Sequence, residues 1–86
     1  MKSEYRWKID KDYIDNGRAV GIEGPSNLDE TVKDNPKGFT LYDDDDNAYY
    51  HGWLYGDYSG FEPVDDFGLG YAGAVHIKFD GDKDYL

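Results

Sequence analysis

Four consecutive carboxylates, Asp43 to Asp46, stand immediately before a run that holds Tyr49, Tyr50, His51, Trp53, Tyr55 and Tyr58. Carboxylates at such density can ligate a hard cation, work in pairs as acid and base, or present negative charge to a basic partner. The cation reading is tested by the calcium-loop spacing, which needs ligands at alternate positions, a turn glycine at the sixth and a bidentate glutamate at the twelfth. A loop starting at Asp43 has Asp45 and Asn47 in place, but Ala48 takes the glycine position and Leu54 the glutamate position. Asp80, Asp82 and Asp84 begin the same spacing, with only Tyr85 and Leu86 beyond them. No metal is therefore expected.

Other constellations fail in similar ways. His51 and His76 fall on separate predicted strands without a supporting ligand motif. The absence of cysteine excludes disulfides and thiolate zinc sites. Gly68-Leu69-Gly70-Tyr71-Ala72-Gly73 spells GxGxxG, but a dinucleotide site needs a strand before it, a helix after it and an acidic residue about 20 positions on. Here a strand-like run follows, and the glycines read as a loop. Asp57 and Glu62 could pair as acid and base, yet among nineteen acidic residues some pair always looks suitable. Ser59 lacks a nucleophile-elbow context. The expectation is a protein that is not an enzyme and carries no cofactor.

Positioning these residues requires a sheet. Tyr5, Trp7 and Ile9 alternate with Arg6, Lys8 and Asp10, the period-two pattern of a half-buried strand. Asp15-Asn16-Gly17 is a turn signal before a short second strand, Arg18 to Ile22, ending near Gly24-Pro25. Ser26 can cap a helix running to about Asp34, with Leu28 and Val32 on one face and Pro36 as the stop. Phe39 to Tyr42 and Tyr49 to Tyr55 give a hairpin around the Asp run, and Val75 to Phe79 gives a last strand. In the fourth strand Tyr50, Gly52 and Leu54 form one face and Tyr49, His51, Trp53 and Tyr55 the other, so aromatics on both sides leave the buried face open. Residues 56 to 73 read as a long excursion with a helical turn near Pro63 to Phe67, and Gly81 to Leu86 as a loose acidic tail. The predicted fold is a single α+β domain over residues 1–86: a small, mainly antiparallel sheet of four to five strands with one short helix packed on it.

Charge narrows the partner. Nine Lys and Arg against nineteen Asp and Glu give a net charge of −10, which repels nucleic acid and anionic membranes and attracts a basic protein. The excess is concentrated in residues 44 to 86, where ten acids face two lysines. No apolar stretch approaches a membrane span or a signal-peptide core, so the expected location is the cytoplasm. Eighty-six residues bury about 64% of their unfolded surface, enough for a modest core but leaving little room for a deep pocket.

In size, charge and Asp-plus-aromatic surface the chain resembles the small acidic inhibitors of phages and mobile elements, which include anti-CRISPR proteins, other DNA mimics and nuclease immunity proteins. The resemblance implies inhibition of a basic nucleic-acid-binding complex or nuclease by occupation of its groove, in the host cytoplasm if the chain is phage-encoded. Asp43, Asp44, Asp45 and Asp46, with Asp57, Glu62, Asp65 and Asp66, are the expected contacts, and Tyr49, Tyr50 and Tyr55 pack around the rim. Alternatives are a carbohydrate- or calcium-binding module using Trp53, Tyr55 and Tyr58 with the Asp-rich surface, or a structural subunit of a larger assembly.

Overall fold

The computed structural model describes residues 4–81. The tail from Asp82 onward, including the second partial calcium-loop spacing, lies outside the described residues. Five strands form one antiparallel sheet: β1 (Tyr5–Asp12), β2 (Arg18–Gly24), β3 (Lys37–Tyr42), β4 (Ala48–Gly56) and β5 (His76–Phe79), in the order β2-β1-β4-β3-β5. A π-helix, Val64–Ala72, packs on one face. The α+β class and the five antiparallel strands agree with the alternation read from the sequence.

Apolar positions of all strands meet under the helix. Ile22, Ile9, Gly52, Phe39 and Phe79 line up as one row across the sheet. Trp7, Ile9, Phe39, Leu41, Leu54, Ile77 and Phe79 are buried there with Val64, Phe67 and Ala74 of the helix and its exit. Phe67 docks the helix, its ring 5.5 Å from Trp7 and 4.9 Å from Tyr50, the latter edge-on. Strand β4 therefore turns Tyr50, Gly52 and Leu54 toward the helix, Tyr50 half-buried and the other two buried, and turns His51, Trp53 and Tyr55 to the face that the helix leaves uncovered. A side chain at position 52 would lie 2.4 Å from the Lys8 carbonyl and 2.8 Å from the Phe39 ring, so the glycine lets that ring lie across the strand.

Two expectations are corrected. No helix forms over Ser26 to Asp34; the segment makes successive tight turns, Leu28 N–H donating to the Pro25 carbonyl and Val32 N–H to the Asp29 carbonyl. Asp29 folds back onto the Thr31 amide and hydroxyl, a local competitor of helix. The connection must also cross from β2 to β3 past the ends of β1 and β4, and its carbonyls are used on the way. Val32 accepts from Arg6 Nε, Asp34 from the Gly56 amide and Asn35 from the Tyr58 hydroxyl. The helix lies instead within the excursion of residues 56 to 73, starting where a helical turn was expected near Pro63 to Phe67 and continuing through Gly68 and Gly70, which read as loop. Gly73, left-handed at φ 69°, closes it by donating to the Gly68 carbonyl. Among the described residues no helix is long and apolar enough to cross a membrane.

Candidate functional site

The β3–β4 hairpin closes over Asp43 to Asn47, and each aspartate there has a different position in the turn. Asp43 N–H donates to the Asn47 carbonyl, while Asp46 N–H donates back to the Asp43 carbonyl. Asp46 adopts φ 64°, the left-handed region that Asp and Asn tolerate better than most residues. The Asp43 carboxylate faces inward: Oδ1 accepts from the amides of Asp45 (2.9 Å) and Asn47 (2.7 Å), and Oδ2 from Asn47 Nδ2 (3.0 Å). The Asn47 side chain, the two amides and the nearby Tyr49 hydroxyl outweigh burial and hold its pKa below the usual carboxylate range. Asp43 is buried, whereas Asp44, Asp45 and Asp46 are exposed.

Turn chemistry thus accounts for Asp43 and tolerates Asp46, but it makes no demand on Asp44 or Asp45. What results is a stiff tip that presents three carboxylates to solvent. Carboxylate oxygens of Asp43, Asp44 and Asp45 can come within 4.8 Å of one another. Asp43 already accepts three hydrogen bonds, so a cation there would have to displace the donors that build the turn. Replacing Asp43 by Ala should lower the melting temperature by about 5–10 °C, because two amides lose their acceptor. Asp43→Asn should recover part of the loss; thermal unfolding followed by circular dichroism checks both.

The remaining expected contacts fall elsewhere. Asp57 follows β4, whose nine residues separate it from the tip by about 27 Å along the strand, and Glu62, Asp65 and Asp66 come later, in the loop and helix that fold back over the sheet. Glu62 accepts from the Ser59 amide and hydroxyl and from the Gly60 amide, capping its own loop. Burial works against its charge, but the Ser59 and Gly60 amides win and lower its pKa. Asp66 accepts from the Tyr5 hydroxyl (2.7 Å) and Trp7 Nε1 (3.0 Å), tying the helix to β1. Burial, then the Asp66 contact, pushes the Tyr5 hydroxyl pKa well up. Asp57 and Asp65 are exposed.

The tyrosines divide likewise. Tyr49 stands beside Asp43, which raises its pKa through their mutual hydrogen bond and charge. Tyr50 packs on Phe67 under the helix and so does not line a rim with the others. Tyr55 lies on the uncovered face beneath the Arg6 guanidinium, 4.2 Å from the ring centre. Tyr58 stacks on Phe79 on the opposite side, so Trp53, Tyr55 and Tyr58 do not share a platform for a sugar.

The uncovered face carries a cluster the sequence reading missed. His51 stands between two carboxylates, Nδ1 2.8 Å from Asp10 Oδ1 and Nε2 3.1 Å from Asp80 Oδ2. Gly38 leaves room for this, since a side chain there would lie 2.2 Å from Asp80 Oδ2. Partial burial disfavours the charged ring, but the two carboxylates outweigh it and raise the His51 pKa. Only alternation was visible beforehand; bringing Asp10, His51 and Asp80 together requires the order β1-β4-β3-β5.

A raised histidine pKa contributes stability below the unfolded value of about 6.5 that is lost as pH rises through the folded pKa. The lowered pKa values of Asp43 and Glu62 contribute stability above about pH 4.5 that is lost on acidification through their folded values. Melting temperature should therefore peak between about pH 4.5 and 6.5 and decline above it. His51→Gln should flatten that upper decline, as thermal melts across the range would show.

No protein-family model, curated protein or solved structure matches the chain, so its function is argued from its own surface.

Proposed function

We propose that this chain is a non-enzymatic acidic binding protein that inhibits a basic, nucleic-acid-binding protein by placing its hairpin tip in the positively charged groove, in the manner of anti-CRISPR proteins and other DNA mimics. The observation that carries the reading is the division of labour in the Asp run. Asp43 is consumed in building the turn, and Asp44, Asp45 and Asp46 are left exposed on it. Adjacent like charges in water repel by about 0.7 kcal/mol at roughly 6 Å, before salt reduces it. A turn gains nothing from Asp44 and Asp45 to offset that cost, whereas a Lys/Arg-lined groove does.

A net charge of −10 adds long-range attraction toward such a groove and speeds encounter. Binding at one end of the hairpin leaves the helix and the uncovered face outside the contact. Asp57, at the other end of β4, and Asp65, exposed on the helix, add to the general field rather than to the tip contact. The host cytoplasm is the compartment where such a partner is met.

Capture from a host lysate at low and moderate salt, followed by nucleic-acid displacement from the captured protein, tests this. The expected result is a basic protein whose binding to the chain and to nucleic acid are mutually exclusive and weaken steeply with salt. A captured partner that binds nucleic acid equally well with the chain in place would contradict the reading.

A further inference from the structure

Strand β2 is the outer strand of the sheet, and among the described residues no segment pairs with its free edge. Its sequence, Arg18 to Gly24, contains no proline or lysine, two common means of blunting an edge. Ile22 on it is 39% exposed. At the end of this edge opens a cleft of about 470 Å³ lined by Ile22, Gly24 and Pro25 together with Trp7, Phe67 and Asp66. That volume lies within the range of about 300–1,000 Å³ typical of ligand sites.

The cleft's chemistry is one-sided. Its charged lining residues are Asp66 and Glu23, and no lysine or arginine lines it; the Glu23 carboxylate already pairs with Arg6, 3.7 Å away, which leaves Asp66 as the cleft's acid without an ion pair among the described residues. Tyr5 and Trp7 both donate to Asp66 Oδ2, which fixes the carboxylate in place and leaves Oδ1 without a hydrogen bond among the described residues. Trp7 and Phe67 supply flat apolar surface of the kind that receives the stem of a long cationic side chain. Gly24 is needed for the wall, since any side chain there would lie 2.2 Å from the Trp7 ring.

An extended peptide can add to a free strand edge through its backbone while one side chain enters a neighbouring pocket. We propose that the β2 edge and its cleft form a docking groove for an extended segment of a partner protein, with a lysine or arginine of that segment lodged against Asp66. Charge complementarity selects this occupant: a second copy would bring another net charge of −10 to the same edge. The groove is separate from the hairpin tip and does not depend on it.

The test is titration of the ¹⁵N-labelled full chain with eight-residue peptides of alternating valine and threonine around a central Arg, Lys or Glu. The Arg and Lys peptides should shift the β2 amides and the Trp7 indole N–H, with affinity at least about tenfold above the Glu peptide. N-methylation of alternate peptide amides should remove the binding. Asp66→Asn, which keeps an acceptor for Tyr5 and Trp7, should weaken the Arg peptide about tenfold while leaving the Glu peptide unchanged. The D44K/D45K/D46K variant should bind the Arg peptide with affinity within about threefold of wild type. Equal binding of Arg and Glu peptides would overturn the proposal, as would shifts confined to the hairpin tip. So would β2 shifts that depend on protein concentration without peptide, which would make a second copy the occupant.

Discussion

Phe67→Ala should destabilise the protein by about 3–5 kcal/mol, the usual cost of emptying a buried phenylalanine site. Phe67 is buried and lies against both Trp7 and Tyr50. Few other contacts dock the helix as directly, so the loss should appear as more than a uniform weakening. The Asp66 bridge to Tyr5 and Trp7 is carried on the same turn and should loosen with it. Chemical denaturation measures the total, and hydrogen exchange should show the helix amides losing protection before those of β1 and β4. For a domain whose whole stability is of the order of 5–15 kcal/mol, this single change uses a large share.

Gly52→Ala should be the second large loss, about 2–3 kcal/mol, although alanine is ordinarily no worse than glycine in a strand. The added carbon would press on the Lys8 carbonyl, which is backbone and shared by the β1–β4 ladder, and on the Phe39 ring that fills the centre of the core. Phe39 cannot withdraw without opening a cavity in the row that crosses the sheet, Ile22-Ile9-Gly52-Phe39-Phe79. Phe39→Leu in the same chain should recover part of the loss by freeing space, which separates overpacking from a simple strand effect. Denaturant midpoints of the single and double variants decide it.

These two positions also mark where sequence reasoning worked and where it stopped. Period-two alternation in Tyr5 to Asp10, Phe39 to Tyr42 and Val75 to Phe79 was enough to place three strands, because each has an apolar and a polar face. Strand β4 has aromatics on both faces, and its buried side is set by Gly52 lying under Phe39, a contact between strands that alternation within one strand does not encode. The helix expected at Ser26 had capping and charge signals in its favour, but the chain there has to cross the end of the sheet. Its carbonyls bond to Arg6, Gly56 and Tyr58 instead of to its own amides. The helix that does form contains glycines that read as a loop, and packing of Phe67 rather than propensity holds it.

The site was legible in its composition but not in its geometry. An Asp-rich hairpin turn was expected and is present, yet nothing in four identical residues says that the first is a buried acceptor and the others are not. The acids after β4 were read with the tip because they are near it in sequence; a strand of nine residues puts Asp57 at the opposite end, and Asp66 is turned onto Tyr5 and Trp7. Glu62 and Asp66 moreover serve the fold as hydrogen-bond acceptors, so removing them tests stability before it tests recognition.

Recognition is therefore tested best at the three aspartates that the turn does not consume. Affinity of the wild-type chain and of D44K/D45K/D46K for the captured basic partner, measured at two salt concentrations, addresses the central claim. The predicted result is a loss of at least about 100-fold in the variant at low salt, with a shallower salt dependence and a melting temperature within a few degrees of wild type. Affinity within twofold of wild type, in a variant with an unchanged melt, would contradict it.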